Sequence, residues 1–298
     1  MRRTFRTRTI VGMVLAMALI ASACSSNTDG PTIEIASFGF GESEIVAEIY
    51  KQALEAEGYS VNHQVQVGPR EVLKPALEAG DVDIIPEYVG SALEAGFGIE
   101  PSADGEATRE RLIEAYADAG VTVLDLSEAE DKNTFVITKE LAEASGITSV
   151  SDLAKLGPIV LGGPPECPER PRCQIGLEEL YGLEIAEFKA LDAGGSLTVA
   201  ALEGGEVQVG LFFSTYLFID EFLALDDDLG LQPAENIVPV IRQAILDEYG
   251  DDLADVLNAV SAELTTEALI AMNERFFAPE DADVIAGEWL VEVGLIDG

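Results

Sequence analysis

The segment Ala76-Leu-Glu-Ala-Gly80-Asp-Val-Asp-Ile-Ile-Pro-Glu-Tyr88-Val-Gly-Ser91 returns, altered, as Ala201-Leu-Glu-Gly-Gly205-Glu-Val-Gln-Val-Gly-Leu-Phe-Phe213-Ser-Thr-Tyr216. Both copies read as the end of an amphipathic helix, a Gly-acid turn and a short apolar strand running into polar and aromatic positions. Each is one helix-to-strand step of an α/β layer. The constant offset sets Tyr88 opposite Phe213 and Ser91 opposite Tyr216. In open α/β sheets a ligand sits beyond the carboxyl ends of the strands, so two similar halves would turn two similar aromatic rims toward one cleft. The expected architecture is α/β and two-lobed.

The pattern along the chain divides accordingly. Thr32 to Ser37 alternates as a strand, Glu42 to Glu57 carries a helical apolar face, Ser60 to Val67 is a second strand, and Asp83 to Ile85 ends a βαβαβ half. Pro75 should bend or delay the helix over Arg70 to Ala79. Asn133 to Thr138 reads as a strand crossing into a second half, and Asn236 to Ile241 as its return. The region from Asp251 to Val293 reads as a helical run completing the first half. The expected lobes are 32–130 plus 236–298 and 131–235, joined by a two-stranded hinge of the kind that permits closure.

Residues 1–23 hold Arg2, Arg3, Arg6 and Arg8, then an apolar run from Ile10 to Ile20, then Ala21-Ser22-Ala23 before Cys24. This is the layout of a secretory signal, too short in its apolar core to span a bilayer. Cleavage after Ala23 would free the protein; lipid attachment to Cys24 would tether it through residues 24–31. Cysteine arithmetic favours the lipid. The chain has three cysteines; Cys167 and Cys173 share one Pro-rich loop and are expected to pair in an oxidising space, which leaves Cys24 over. The expected location is extracytoplasmic, on the outer face of the cell membrane.

The formal charge is −38, from 17 basic and 55 acidic residues. Such an excess excludes nucleic acid as a partner. It reads either as a solvated surface or as an attraction for cationic ligands; the even spread of the acids favours the former.

Catalysis finds little support. The single histidine, His63, sits in an alternating strand pattern that suggests an exposed position. No phosphate loop, nucleophile elbow or metal-ligand spacing is present, so no catalytic residue, metal or cofactor is assigned. Recognition is better supported. A cleft faced by Phe38, Phe40, Tyr88, Phe135, Phe213 and Tyr216 can surround a cation with ring faces. For Phe40 and Phe212 a place in the core is the plainer expectation. Arg170 stands out in a loop of Pro and Cys, where it can grip a carboxylate or form a surface ion pair.

Ile35-Ala-Ser-Phe-Gly-Phe-Gly-Glu42, Asp83-Ile-Ile-Pro-Glu-Tyr88-Val-Gly-Ser91, Asn133-Thr-Phe135 and Glu169-Arg170 followed by Gly176-Leu-Glu-Glu-Leu-Tyr181-Gly carry a resemblance. From about Thr32 onward the chain resembles the osmoprotectant (glycine betaine, carnitine, choline) substrate-binding proteins of ABC importers. The resemblance implies a periplasmic-binding-protein-like fold and an aromatic cage for a quaternary ammonium, with a permease and its ATPase as partners. It implies Tyr88 and Phe213 as cage walls from opposite lobes, Phe135 as a further wall, Ser91 as a polar neighbour and Arg170 as the carboxylate partner. Phe38 stands where the family often has a basic residue, Ser43 where glutamine is frequent, and no aromatic residue appears around Glu235-Asn236. An enzyme acting on a small substrate and a ligand-sensing lipoprotein of the same fold are the rival classes.

Overall fold

A computed structural model describes residues 30–216 and 221–298. The expected export signal, Cys24 and most of the tether lie outside the described residues. In chain order the first part runs β1 (Ile33–Phe38), α1 (Gly41–Ala56), β2 (Val61–Gly68), α2 (Arg70–Ala79), β3 (Ile84–Tyr88), α3 (Val89–Phe97), α4 (Gly105–Tyr116) and β4 (Val121–Val123). The second runs β5 (Asn133–Thr138), α5 (Lys139–Ser145), β6 (Ile159–Gly163), α6 (Gln174–Glu179), β7 (Ile185–Ala190), α7 (Ser196–Glu203), β8 (Val209–Phe213) and β9 (Phe222–Ala224). The chain then returns through β10 (Ile237–Arg242) to α8 (Gln243–Tyr249), α9 (Asp251–Glu263), α10 (Thr266–Phe277) and α11 (Ala282–Glu292).

Two five-stranded sheets form, ordered β2-β1-β3-β10-β4 and β7-β6-β8-β5-β9. They are the same construction twice. Three parallel strands are followed by an antiparallel strand that has just crossed between the halves, β10 beside β3 in one sheet and β5 beside β8 in the other. The two copies of the repeat are α2–β3 and α7–β8. Gly80 and Gly205 both take positive φ, 86° and 67°, a region open to glycine at little cost. The Gly80 N–H caps the carbonyls of Ala76 and Leu77, which turns the chain from helix into strand.

β3 is buried along its whole length, as a central strand covered on both faces requires. Its Pro86 lies opposite Pro239 of β10, so the two residues without an N–H fall on one rung of the ladder. Pro75 neither delays nor ends α2, which starts at Arg70. The carbonyl it orphans belongs to Glu71 in the exposed first turn, where water can reach it. The run from Asp251 onward is three helices rather than one. The break at Leu264 and Thr265 is marked by the Thr265 side chain, which accepts from the Ala268 N–H and starts α10.

The first lobe's core centres on β1, β3 and β10 with α1, whose Ile45, Ile49 and Leu54 are fully buried. The second sheet has an apolar cluster on each face, one around Leu161, Leu211 and the two loop cysteines, the other around Leu202, Phe212 and Tyr216. The crossing segments run side by side: Glu130 bridges Asn236, and the Asp131 N–H donates to the Glu235 carbonyl at 3.1 Å. They make a two-stranded hinge and the floor of a cleft between the lobes.

Candidate functional site

β3 and β8 end at that cleft, so their last residues, Tyr88 and Phe213, face it from opposite lobes. A cavity of about 140 Å³ lies between them, the size of a small solute. Phe40, in the β1–α1 turn, stands between the two, with ring centroids 5.9 Å from Tyr88 and 5.0 Å from Phe213. The three rings form a continuous apolar wall from one lobe to the other, with faces that attract a cation.

The structure brings four of the expected residues to this cavity, Tyr88, Ser91, Arg170 and Phe213, and three it does not. Phe38 is 3% exposed; it stacks on Phe40 and carries the Arg70 guanidinium 4.9 Å from its ring centroid, so it backs the wall. Phe135 is paired with Leu211 and buried in the second lobe's core. Asn133 and Phe135 share a face of β5, and it is Asn133, two residues nearer the strand end, that reaches the cavity. Tyr216 packs edge-on behind Phe213, with centroids 5.7 Å apart. Phe40, expected in the core, takes the place given to Phe38, because one turn residue separates the pair and only the second clears the sheet.

Beyond Ser91 and Arg170, the polar groups come from residues the sequence did not single out. Arg70, at the start of α2, grips Glu87 through three hydrogen bonds of 2.7–3.1 Å. Glu235 is 4% exposed and accepts from the Ser91 N–H and hydroxyl at 2.9 and 2.8 Å. Burial pushes its carboxyl up to about 7, against the Ser91 bonds and the Arg70 charge, which pull it down. On the second lobe Cys167 and Cys173 are joined by a disulfide. The loop they close holds Arg170, paired to Glu71 of the first lobe at 2.6 Å, and Arg172, forked onto Glu94 of α3. Two ion pairs thus bridge the lobes at this loop. Scarcity of basic residues was the signal for Arg170 and applied equally to Arg70 and Arg172.

Behind Tyr88 lies a buried network. The Tyr88 hydroxyl donates to Glu42 Oε1 at 2.7 Å, while Thr215 Oγ1 and Asn273 Nδ2 each donate to Oε2 at 2.6 Å. Asp131 accepts from the Ser214 hydroxyl and the Thr215 N–H through Oδ1, both 3.1 Å. Its Oδ2 is buried and finds no hydrogen-bond partner among the described residues. Burial, with the Glu42 charge beside it, raises Asp131 far above the usual carboxylate range, and burial raises Glu42 against the hydrogen bonds from Thr215, Tyr88 and Asn273.

His63 is not exposed; its side chain retains 2% of its surface. Nε2 lies 2.9 Å from Ser37 Oγ and Nδ1 2.8 Å from Glu48 Oε1. The order serine, histidine, carboxylate matches a hydrolase relay. Ser37 is fully buried, however, and its oxygen also accepts from the Gln66 N–H. The set ties β1, β2 and α1 together, out of a substrate's reach. Among the described residues no cluster of His, Cys, Asp and Glu is placed to hold a metal, and no helix is long and apolar enough to cross a membrane.

Known proteins resemble this chain along most of its length. The family model for the substrate binding domain of ABC-type glycine betaine transport systems matches residues 31–292. A glycine-betaine-binding protein of Pseudomonas aeruginosa is 27% identical over 97% of this chain and 96% of its own length. The glycine betaine-binding protein YehZ of Escherichia coli is 26% identical over 95% of each. Among solved structures, a glycine betaine/carnitine/choline ABC transporter protein superposes with a TM-score of 0.70 at 22% identity, covering 89% of this chain and 100% of that one. The architecture is the two-lobed periplasmic-binding-protein fold.

Proposed function

This chain belongs to the family of substrate-binding domains of ABC-type glycine betaine transport systems, and from that premise we propose that it captures glycine betaine or a related quaternary-ammonium solute in the interlobe cleft. It delivers the solute to an ABC permease driven by its ATPase. The lobes are residues 32–130 plus 236–298 and 131–235. The protein works from outside the cytoplasm, exported by residues 1–23 and anchored through a lipid on Cys24. It acts by binding and not by turnover.

The observation that carries this reading is the row of rings from Tyr88 through Phe40 to Phe213, contributed by both lobes and lining one small cavity. Each ring face is worth about 0.5–2 kcal/mol to a desolvated cation. Closing the lobes places all three around one solute, and the ion pairs on the disulfide loop hold that arrangement.

Titration calorimetry of the mature protein with quaternary ammonium compounds tests the assignment. The expected result is one-site binding that weakens about tenfold in Phe213→Ala and in Tyr88→Ala. Unchanged affinity in both variants would place the site elsewhere. For the anchor, Cys24→Ala is expected to release the protein from the membrane fraction of its host; an unmodified Cys24 on the native protein rejects it.

A further inference from the structure

The cavity holds three guanidinium groups, and each is already matched by a glutamate: Arg70 by Glu87, Arg170 by Glu71 and Arg172 by Glu94. Asp131 and Glu235 line the same cavity and form no salt bridge among the described residues. They arrive from the two crossing segments, adjacent through the Asp131 N–H to Glu235 carbonyl bond, so the hinge itself supplies two buried carboxyls to the cleft. Of these, Asp131 is turned toward the second lobe, where its Oδ1 accepts from the Ser214 hydroxyl and the Thr215 N–H. Glu235 is held by Ser91, with one bond to each oxygen, and each oxygen keeps a second acceptor site.

We propose that the solute bound here is a net cation without a carboxylate, a quaternary ammonium carrying a hydroxyl or other donor, and that Glu235 selects it. This rests on the reading of the cleft as a quaternary-ammonium site and narrows it. A zwitterion brings a carboxylate that needs a cation of its own. Taking Arg172 would strip Glu94, whose side chain is 15% exposed, of its partner, and a buried carboxylate left unpaired is costly. Taking Arg170 would release only the more exposed Glu71, but the incoming carboxylate would still face Glu166 and Glu235, which line the same cavity without an arginine of their own. Like charges confined together discriminate between solutes as strongly as attractive contacts do. A cation meets the opposite field: ring faces on the wall and the Glu235 acceptor sites.

Calorimetry at about pH 8.5, where Glu235 is ionised, with choline and glycine betaine as probes on the unaltered protein and on Glu235→Gln, tests the inference. The unaltered protein is expected to bind choline more tightly. Glu235→Gln keeps the shape and removes the charge, so choline should weaken at least about tenfold while betaine changes by less than about threefold. Tighter binding of betaine by the unaltered protein, which needs no variant, overturns the charge selection and leaves the solute-binding reading standing. Equal weakening of both probes in Glu235→Gln does the same. Binding of neither probe overturns both readings.

Discussion

Arg172 of the second lobe and Glu94 of the first lie fork to fork across the cleft, Nε to Oε2 and Nη2 to Oε1 both at 2.9 Å. Arg172 also donates from Nη1 to the Leu231 carbonyl at 3.0 Å, which fixes the guanidinium in its own lobe before it reaches the other. Both side chains are mostly buried, 21% and 15% exposed, so the pair is only partly screened. Glu94→Gln should cost the closed arrangement about 2 kcal/mol. Small-angle scattering of the ligand-free variant is expected to show a larger radius of gyration than the parent, with weaker solute binding. An unchanged radius would mean that the pair does not hold the lobes together.

The different placements of Phe40 and Phe135 predict opposite phenotypes. Phe40→Ala removes the middle ring of the wall and should weaken solute binding about tenfold, with a smaller loss of stability. Phe135→Ala empties a core position and should cost about 3–5 kcal/mol of folding free energy, while the folded fraction keeps its affinity. Urea denaturation beside calorimetry separates the two, and a reversed pattern would return Phe135 to the site.

Acidity should act through Glu235, which faces Arg70 on α2, Glu87 on β3 and Ser91 on α3. The folded protein holds the Glu235 proton up to about 7, whereas the unfolded carboxyl releases it near its ordinary value of 4.5. The stabilisation from this group is therefore complete below about pH 4.5 and lost as pH rises through 7. Glu42 and Asp131, also raised, act with the same sign. The urea midpoint at constant ionic strength is expected to fall between pH 5 and pH 8, and Glu235→Gln should flatten that slope. A variant with the parent's slope would assign the dependence to other groups. Cation binding should strengthen over the same interval, because a cation favours the ionised Glu235.

Opening the disulfide should loosen the loop that carries Arg170 and Arg172 without unfolding either lobe. The bridged residues are separated by 6 positions, a short loop for which the chain-entropy model gives about 2 kcal/mol. The double variant Cys167→Ser, Cys173→Ser is expected to lose about that much stability and to bind solute more weakly. Full retention of affinity would show that the loop's arginines contribute nothing to the closed form.

Some of the site could be read in advance because its cause is local. Tyr88 and Phe213 end equivalent strands, and the glycine turn with its apolar run marks those strands in any context. α3 was hidden for the complementary reason. It begins directly after Tyr88 with no side-chain cap, so nothing near Val89 announces a helix start. Phe38 and Phe40 flank one glycine, and no local rule distinguishes the ring that supports from the ring that faces the solute. Phe135 carries the residue type expected of a cage wall but lies two positions too deep along β5.

By itself the sequence determined that two similar α/β halves exist, that the chain crosses twice between them, and that an aromatic residue ends the matching strand in each. These follow from hydrophobic period, turn chemistry and repetition, which act over a few residues at a time. Tertiary structure alone decided which charges meet at the cleft. With 55 acidic residues available, nothing in their order distinguishes Glu235 from the rest. Asp131 and Glu235 become neighbours only because two segments over a hundred positions apart pair as one hinge, and Arg172 finds Glu94 only when the lobes face each other. Side-chain electrostatics depends on distance and burial, and both are set when the chain closes on itself.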